Sequence, residues 1–358
     1  MKVLIIGTDN KLFETGSEIQ ERMITLGAMT GSLDIIVFST QGPGDLQAQD
    51  LSPEVRIYRT NSYQRWFYMW DAIRLGKNLP RPDLITAQDP FECGLVAWKL
   101  AKFFKAKLQL QVHTDFLNPA FSYQSILNHA RVVLAQFLLA RADKIRVVSQ
   151  RIKDSLSSEF KIPSFKINIL PVFIDVDKIQ TTLIQTDLHK KYPRFRKIIL
   201  MASRLSQEKN IDLAIKAMPG ILARDSHIGL IIVGEGPELK HLKALALKCG
   251  LGQYVVFESW TKDLPSYYKT ADLFLNTSLY EGYGRTLVEA LVAGCSVAST
   301  NVGLVGDPNY RGIIVIDQVT IGQLILNLLS DHKPPVGLSL PYRGKLDYLR
   351  QYNLLWLN

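Results

Sequence analysis

The chain reads as an α/β protein of two facing, Rossmann-like domains, each a doubly wound parallel sheet. Three observations lead there. Short β-rich runs alternate with helical patterns along the length. Most of those runs are apolar without alternation, as strands covered on both faces should be. The series restarts after a Pro-interrupted stretch, Pro171 to Ile179, which is the natural linker between two domains. A length of 358 residues, 47% hydrophobic and 21% charged, accommodates two cores of ordinary size.

In chain order the first series of expected strands is Val3–Gly7, Asp34–Ser39, Val55–Tyr58, Leu84–Ala87, Leu108–His113, Ile145–Ser149 and Ile167–Leu170. Ser17 with Gln20 makes a capping box for a first helix reaching Gly27. The second series is Ile198–Ala202, Gly229–Val233, Val255–Glu258, Leu273–Asn276, Val297–Thr300 and Ile313–Ile316. The expected domains are therefore 1–172 and 173–340. In 341–358 the spacing of Leu346, Leu349, Tyr352 and Trp356 predicts a helix that can pack back onto the first domain.

Composition excludes several classes. Ile126 to Ala140, the nearest approach to a spanning segment, is interrupted by His129 and Arg131. The opening Met1-Lys2-Val3-Leu4-Ile5-Ile6-Gly7 is too short in its apolar run for a secretory signal and reads as a first buried strand. Cys93, Cys249 and Cys295 are few, odd in number and far apart, which suits reduced thiols and a cytoplasmic location. The net charge of +9 is spread evenly: 21 Lys and Arg against 17 Asp and Glu over 1–175, and 21 against 16 over 176–358. No nucleic-acid-binding signature accompanies it, so nucleic acid is not an expected partner. The aromatic run Tyr63 to Trp70 with Arg65, and Lys99, Lys102, Lys105 and Lys107, have two readings. One is peripheral contact with anionic lipid headgroups at the inner membrane face, the other core aromatics beside a solvated lysine face.

The most informative segment is Glu281-Gly282-Tyr283-Gly284-Arg285-Thr286-Leu287-Val288-Glu289. Two carboxylates flank a glycine-rich helix start whose free amides can face an anion, an arrangement suited to a phosphorylated sugar. Leu287, Val288, Ala290, Leu291 and Ala293 leave that helix almost no polar face, so Glu289 needs a hydrogen-bond partner, which a ribose diol would supply. The plainer reading is that Glu281 complements the helix dipole and Glu289 pairs with an Arg. Arg204 and Lys209 sit on the strand-to-helix loop Ser203 to Asn210, where a guanidinium fork and an ammonium can neutralise a diphosphate. Gly234 opens the turn Gly234-Glu235-Gly236-Pro237, which allows close approach of a ligand or of neighbouring backbone. Gly16 precedes another amide-rich helix start. His113 follows its strand at the expected cleft edge, within hydrogen-bonding reach of a sugar or an incoming hydroxyl, with Asp115 beside it as a weaker acceptor contact. No dinucleotide fingerprint follows the first strand, which disfavours a dehydrogenase.

The order and spacing of Ser203-Arg204 through Lys209-Asn210, Val233 to Pro237, Asp263 to Tyr268, Ala271 to Phe274 and Glu281 to Gly294 resemble the donor domain of family 4 of the nucleotide-sugar glycosyltransferases, which have the two-domain GT-B fold. His113-Thr114-Asp115 and Ala142 to Ser149 are similar to the family's first domain, and the likeness covers roughly residues 1 to 316. After Gly303 the pattern departs, with Leu304 to Asn309 where relatives carry Gly-Pro-Glu-Val. The resemblance implies retaining, metal-independent transfer of a sugar from a nucleoside diphosphate sugar to a hydroxyl of a lipid-linked or polysaccharide acceptor, with no cofactor. It implies that Arg204 and Lys209 hold the diphosphate, Glu289 the ribose, and Glu281 the hydroxyls of the transferred sugar. The amides of Gly284 to Leu287 would assist at the phosphates, and backbone at Trp260, Thr261 and Lys262 would receive the base. The alternatives are a GT-B phosphorylase, a nucleotide-sugar epimerase, or a catalytically silent nucleotide-sugar or glycan-binding protein.

Overall fold

The computed structural model describes residues 1–40, 42, 47–317, 319–330 and 337–357. The chain divides into two compact units, Met1–Pro171 with Tyr342–Asn358, and Val172–Pro341. Asn358 lies outside the described residues.

The first unit is built on strands β1 (Lys2–Gly7), β2 (Ser32–Val37), β3 (Ala48–Ser52), β4 (Val55–Arg59), β5 (Leu84–Ala87), β6 (Lys107–Val112), β7 (Lys144–Val147) and β8 (Ile167–Ile169), in the order β3-β4-β2-β1-β5-β6-β7-β8. All pairings are parallel except β3 against β4. Strand β3 escapes the sequence reading because Ala48-Gln49-Asp50-Leu51-Ser52 is polar and only half covered, as an edge strand can be. The helices are α1 (Glu18–Thr30), α2 (Tyr68–Lys77), α3 (Glu92–Phe104), α4 (Pro119–Tyr123), α5 (Ile126–Leu139) and α6 (Gln150–Glu159). Ser17 caps α1 by accepting from the Gln20 amide, while Gln20 Oε1 accepts from the Gly16 amide at 3.0 Å. The helix runs past Gly27 because that glycine serves packing: a Cβ there would lie 2.1 Å from Val55 Cγ2. Gly31, at φ +106°, ends it instead.

The second unit carries β9 (Lys197–Ala202), β10 (Ile228–Val233), β11 (Val255–Glu258), β12 (Leu273–Asn276), β13 (Ser296–Ser299), β14 (Tyr310–Arg311), β15 (Ile313–Val315) and β16 (Gly337–Leu338). Six of them form a parallel sheet in the order β11-β10-β9-β12-β13-β15, while β14 and β16 pair as a small antiparallel ribbon that the sequence reading missed. Its helices are α7 (Val176–Thr181), α8 (Leu188–Lys191), α9 (Ile211–Leu222), α10 (Leu239–Lys248), α11 (Leu264–Thr270), α12 (Arg285–Val292) and α13 (Ile321–Ser330). Part of the stretch read as linker is thus helix α7. Alternate residues of β9 feed two cores: Ile199 and Met201 pack with α9, α10 and α13, whereas Ile198, Leu200 and Ala202 pack with α11 and α12.

Helix α14 (Lys345–Leu357) belongs to the first unit. It is held by polar contacts that β6 and β7 send out of the sheet. Tyr352 OH accepts from Gln111 Nε2 at 2.8 Å, Trp356 Nε1 donates to Gln109 Oε1 at 3.1 Å, and the Arg146 guanidinium donates to Tyr348 OH at 3.0 Å. Leu349 and Trp356 are buried as their spacing suggests, but Leu346 is exposed.

Candidate active site

The second sheet has one topological switch point, between β9 and β12, because the crossovers run through β10 to β11 on one side and through β13 to β15 on the other. Ligands of open α/β sheets bind outside the carboxyl ends of the strands at such points. The loop after β9 carries Arg204 and Lys209, and the loop after β12 carries Glu281 to Gly284. These loops are stitched to each other. The Leu279 amide donates to the Glu208 carbonyl at 2.8 Å, and Thr277 Oγ1 donates to the Lys209 carbonyl at 2.9 Å. Across the stitch Lys209 Nζ lies 2.5 Å from Glu281 Oε1, both side chains mostly shielded. Glu281 Oε1 is also 2.9 Å from Ser278 Oγ, which in turn reaches Asn276 Oδ1 at 2.7 Å.

Arg204 is held less firmly. Its side chain is 80% exposed and makes a 3.2 Å contact with Glu208, leaving the guanidinium at the rim of the loop. Gly234 lies against neighbouring backbone. A Cβ on it would lie 1.9 Å from the Ser203 carbonyl oxygen, and one on Gly236 would lie 2.2 Å from that of Leu205, so these glycines let the β10 turn press against the Arg204 loop. The Gly234 amide donates to the Glu258 carbonyl at 2.9 Å.

Gly284, at φ +93°, starts α12 with no side chain capping the turn. The Leu287 amide, one of the expected set from Gly284 to Leu287, already donates to the Gly284 carbonyl at 3.0 Å within the first turn. Tyr283 turns inward, its hydroxyl 3.0 Å from that of Tyr310. Its carbonyl accepts from the Leu304 amide at 3.0 Å, and Gly303 passes so close that a Cβ would sit 2.5 Å from the same oxygen. The segment that departs from the family pattern therefore braces the Glu281 to Gly284 loop. Gly282 is buried within that loop.

Glu289, on the next turn of α12, has partners within the protein: Arg285 Nε at 2.6 Å and Tyr268 OH at 3.2 Å. The plainer expectation of an Arg partner is thus met by Arg285, a residue first read as donor-binding. Burial pushes the Tyr268 hydroxyl well above its usual pKa, assisted by the charge of Glu289, so it stays a donor. Trp260 is half exposed on the loop after β11, with Thr261 and Lys262 following. The loop is anchored by Glu258. Burial opposes ionisation of this carboxyl, yet bonds from Lys191 at 2.6 Å, from Tyr192 and from Tyr267 at 2.6 Å outweigh it and hold its pKa below the usual range.

His113, Asp115 and Gly16 lie in the first unit. His113 follows β6, keeps one solvent-exposed edge although protein crowds it elsewhere, and places Nε2 3.1 Å from Gln111 Oε1. Desolvation, then the positive charges of Arg146 and Arg22, lower its pKa, so the ring is neutral at pH 7. Asp115 is buried, which raises its pKa against the pull of Arg151, and it serves its own loop rather than presenting an open carboxylate. The Gly16 amide is committed to Gln20. The supporting groups missed by sequence reasoning are Ser278 and Tyr268, which hold the two acids. The polar Asn276-Thr277-Ser278 directly after an apolar strand was the available signal for the first.

Two family models match the chain, glycosyltransferase family 4 over residues 29–178 and glycosyl transferases group 1 over residues 185–330. The alpha-monoglucosyldiacylglycerol synthase of Streptococcus pneumoniae is 27% identical over 243 residues, 65% of this chain and 54% of that protein. The GDP-mannose-dependent alpha-(1-6)-phosphatidylinositol monomannoside mannosyltransferase of Mycobacterium tuberculosis is 30% identical over 60% of each chain. The match spans only about half to three fifths of the length of these curated relatives. Among solved structures, Anabaena HepE in complex with UDP superposes with a TM-score of 0.70 at 17% identity, covering 99% of this chain and 94% of that one. Sucrose-phosphate synthase from Thermosynechococcus elongatus gives 0.73 at 18% identity, covering 100% and 95%. With one family model on each Rossmann-like unit and the same architecture in those structures, the chain belongs to family 4 of the GT-B glycosyltransferases.

Proposed function

We propose that the protein is a retaining, metal-independent glycosyltransferase that moves a sugar from a nucleoside diphosphate sugar to a hydroxyl of a lipid-linked or polysaccharide acceptor at the cytoplasmic membrane surface. The observation that carries this reading is the Lys209–Glu281 pair spanning the switch point of the second sheet, one helical start away from Glu289. The diphosphate would take the place beside Lys209 and the Arg285 and Thr286 amides, with Arg204 swinging in from the rim. Glu281 then turns to the sugar hydroxyls and Glu289 to the ribose, whose diol replaces Arg285 as its partner. Trp260 to Lys262 would receive the base.

Negative charge on the diphosphate grows as its bond to the anomeric carbon breaks, so fixed cations and helix amides stabilise the transition state more than the ground state. The acceptor oxygen bonds to that carbon from the same face, and its proton passes to the departing phosphate oxygen. His113, neutral at pH 7, is suited to accept from or donate to a sugar hydroxyl rather than to neutralise phosphate. The named activities of the relatives, synthesis of alpha-monoglucosyldiacylglycerol and mannosyl transfer involving phosphatidylinositol monomannoside, favour a lipid-linked acceptor.

The test is a thermal-shift screen of nucleoside diphosphates and their sugars, followed by turnover of the stabilising donor with lipid and glycan acceptors. Lys209→Ala and Glu289→Ala should abolish turnover while unfolding stays cooperative. Undiminished transfer by either variant refutes the site. Phosphate-dependent release of sugar phosphate would assign a phosphorylase, epimerisation without acceptor an epimerase, and tight donor binding without chemistry a binding protein.

A further inference from the structure

Apart from Tyr68, whose ring packs on buried Phe38, the aromatic residues of the run from Tyr63 to Trp70 are exposed. Trp66 is 84% exposed and Trp70 74%, and with Arg74 and Lys77 they form one stripe along α2 and the turn before it. Helix α3 shows a matching stripe of Lys99, Lys102 and Phe103, the last 55% exposed. The right-handed crossovers from β4 through β7 put α2, α3 and α5 on one face of the first sheet. A cation–ring contact joins α2 to α3, and an aromatic pair joins α3 to α5. Lys77 Nζ sits 5.1 Å from the Phe103 ring centre and Lys102 Nζ 5.9 Å from that of Trp98. Trp98 meets Phe137 of α5 edge-on at 5.3 Å, and the Arg141 guanidinium covers Phe137 at 3.6 Å.

The part of the face built by these three helices is also predominantly basic. The three helices carry two carboxylates, and both are engaged: Asp71 accepts from Ser62 Oγ at 2.5 Å, and Glu92 pairs with Arg131 at 2.8 Å. We infer that this three-helix face docks on an anionic bilayer, with Trp66, Trp70 and Phe103 entering the headgroup layer and the flanking lysines and arginines meeting lipid phosphate. Isolated rings separated by cations suit an interface that is wet at one level and apolar just below it. A second copy of the chain would bring like charges together. The inference names the surface through which the proposed acceptor reading would operate, yet it stands on the first unit alone and requires no nucleotide sugar.

The experiment is co-sedimentation of the full chain with vesicles of phosphatidylcholine and phosphatidylglycerol, against vesicles of phosphatidylcholine alone. Mixed vesicles should retain the protein, retention should fall with added salt, and W66A/W70A and K99E/K102E should each lower it by about tenfold or more. Both variants change exposed residues and should melt with the parent. Equal retention on both vesicle types, undiminished retention of the variants, equally tight capture by duplex DNA, or a dimer in solution that W66A/W70A dissociates would each overturn the inference. A chain that turns over no sugar but still sediments with anionic vesicles would sink the enzymatic proposal and leave this one standing.

Discussion

Lys209 Nζ and Glu281 Oε1 lie 2.5 Å apart, with side chains 13% and 18% exposed, so the two charges that a nucleotide sugar would separate already neutralise each other. In the proposed site, donor binding would exchange this contact for phosphate on one side and sugar hydroxyls on the other.

Lys209→Ala should lower donor turnover by on the order of 100-fold or more, as loss of one fixed transition-state contact does. It should also cost about 1–3 kcal/mol of stability, because Glu281 is left shielded without its counter-charge. Urea unfolding and donor kinetics on the same preparation check both.

Tyr268→Phe removes one of the two bonds that hold Glu289 while keeping the ring in the core. Donor affinity should fall by about 3- to 10-fold, the worth of one hydrogen bond to a charged group, with kcat less affected. An unchanged affinity in calorimetry would mean that Arg285 alone sets the position of Glu289.

The glycines divide by what surrounds them. Gly234→Ala drives a methyl into the Ser203 carbonyl and should destabilise by about 2 kcal/mol or more, disturbing the Arg204 loop as well. Gly16→Ala meets open space at φ +74° and should cost only about 1 kcal/mol of backbone strain. Melting curves of the two variants should therefore separate clearly.

Glu258 has a folded pKa below its usual 4.5, so it contributes stability above that value that is lost as pH falls through the folded pKa. Within this acidic window the unfolded state binds the extra proton. Glu258→Gln should flatten the loss of stability between pH 5 and the acid limit, read by urea midpoints across that range.

Most strands were legible because a parallel sheet covered on both faces demands runs such as Ile198 to Ala202 and Gly229 to Val233, whose composition permits little else. Strand β3 and the β14–β16 ribbon were not, since edge strands of two to five residues need no apolar pattern. At the candidate site, the placement of Lys209 beside Glu281 could be read from residue type and position after a strand. What packs against Gly234 and which carboxylate Arg285 meets could not. A glycine that admits a ligand and one that admits neighbouring backbone look identical in sequence, and whether a guanidinium faces phosphate or the acid one turn along is decided by helix geometry. Burial of Asp115 was hidden for the same reason. The exposure of Trp66 and Trp70 ran against the ordinary expectation that large rings seek the interior.

The return of α14 to the first sheet has a consequence for biosynthesis. Gln109, Gln111 and Arg146 emerge from the ribosome roughly two hundred residues before Tyr348, Tyr352 and Trp356 exist to cover them. Val172–Pro341, being contiguous, is translated whole in the interval and can mature first, whereas the segment made earliest is completed last. Nascent chains stalled before Lys345 should accordingly expose this polar row to proteases or chaperones, and release of the remaining helix should close it.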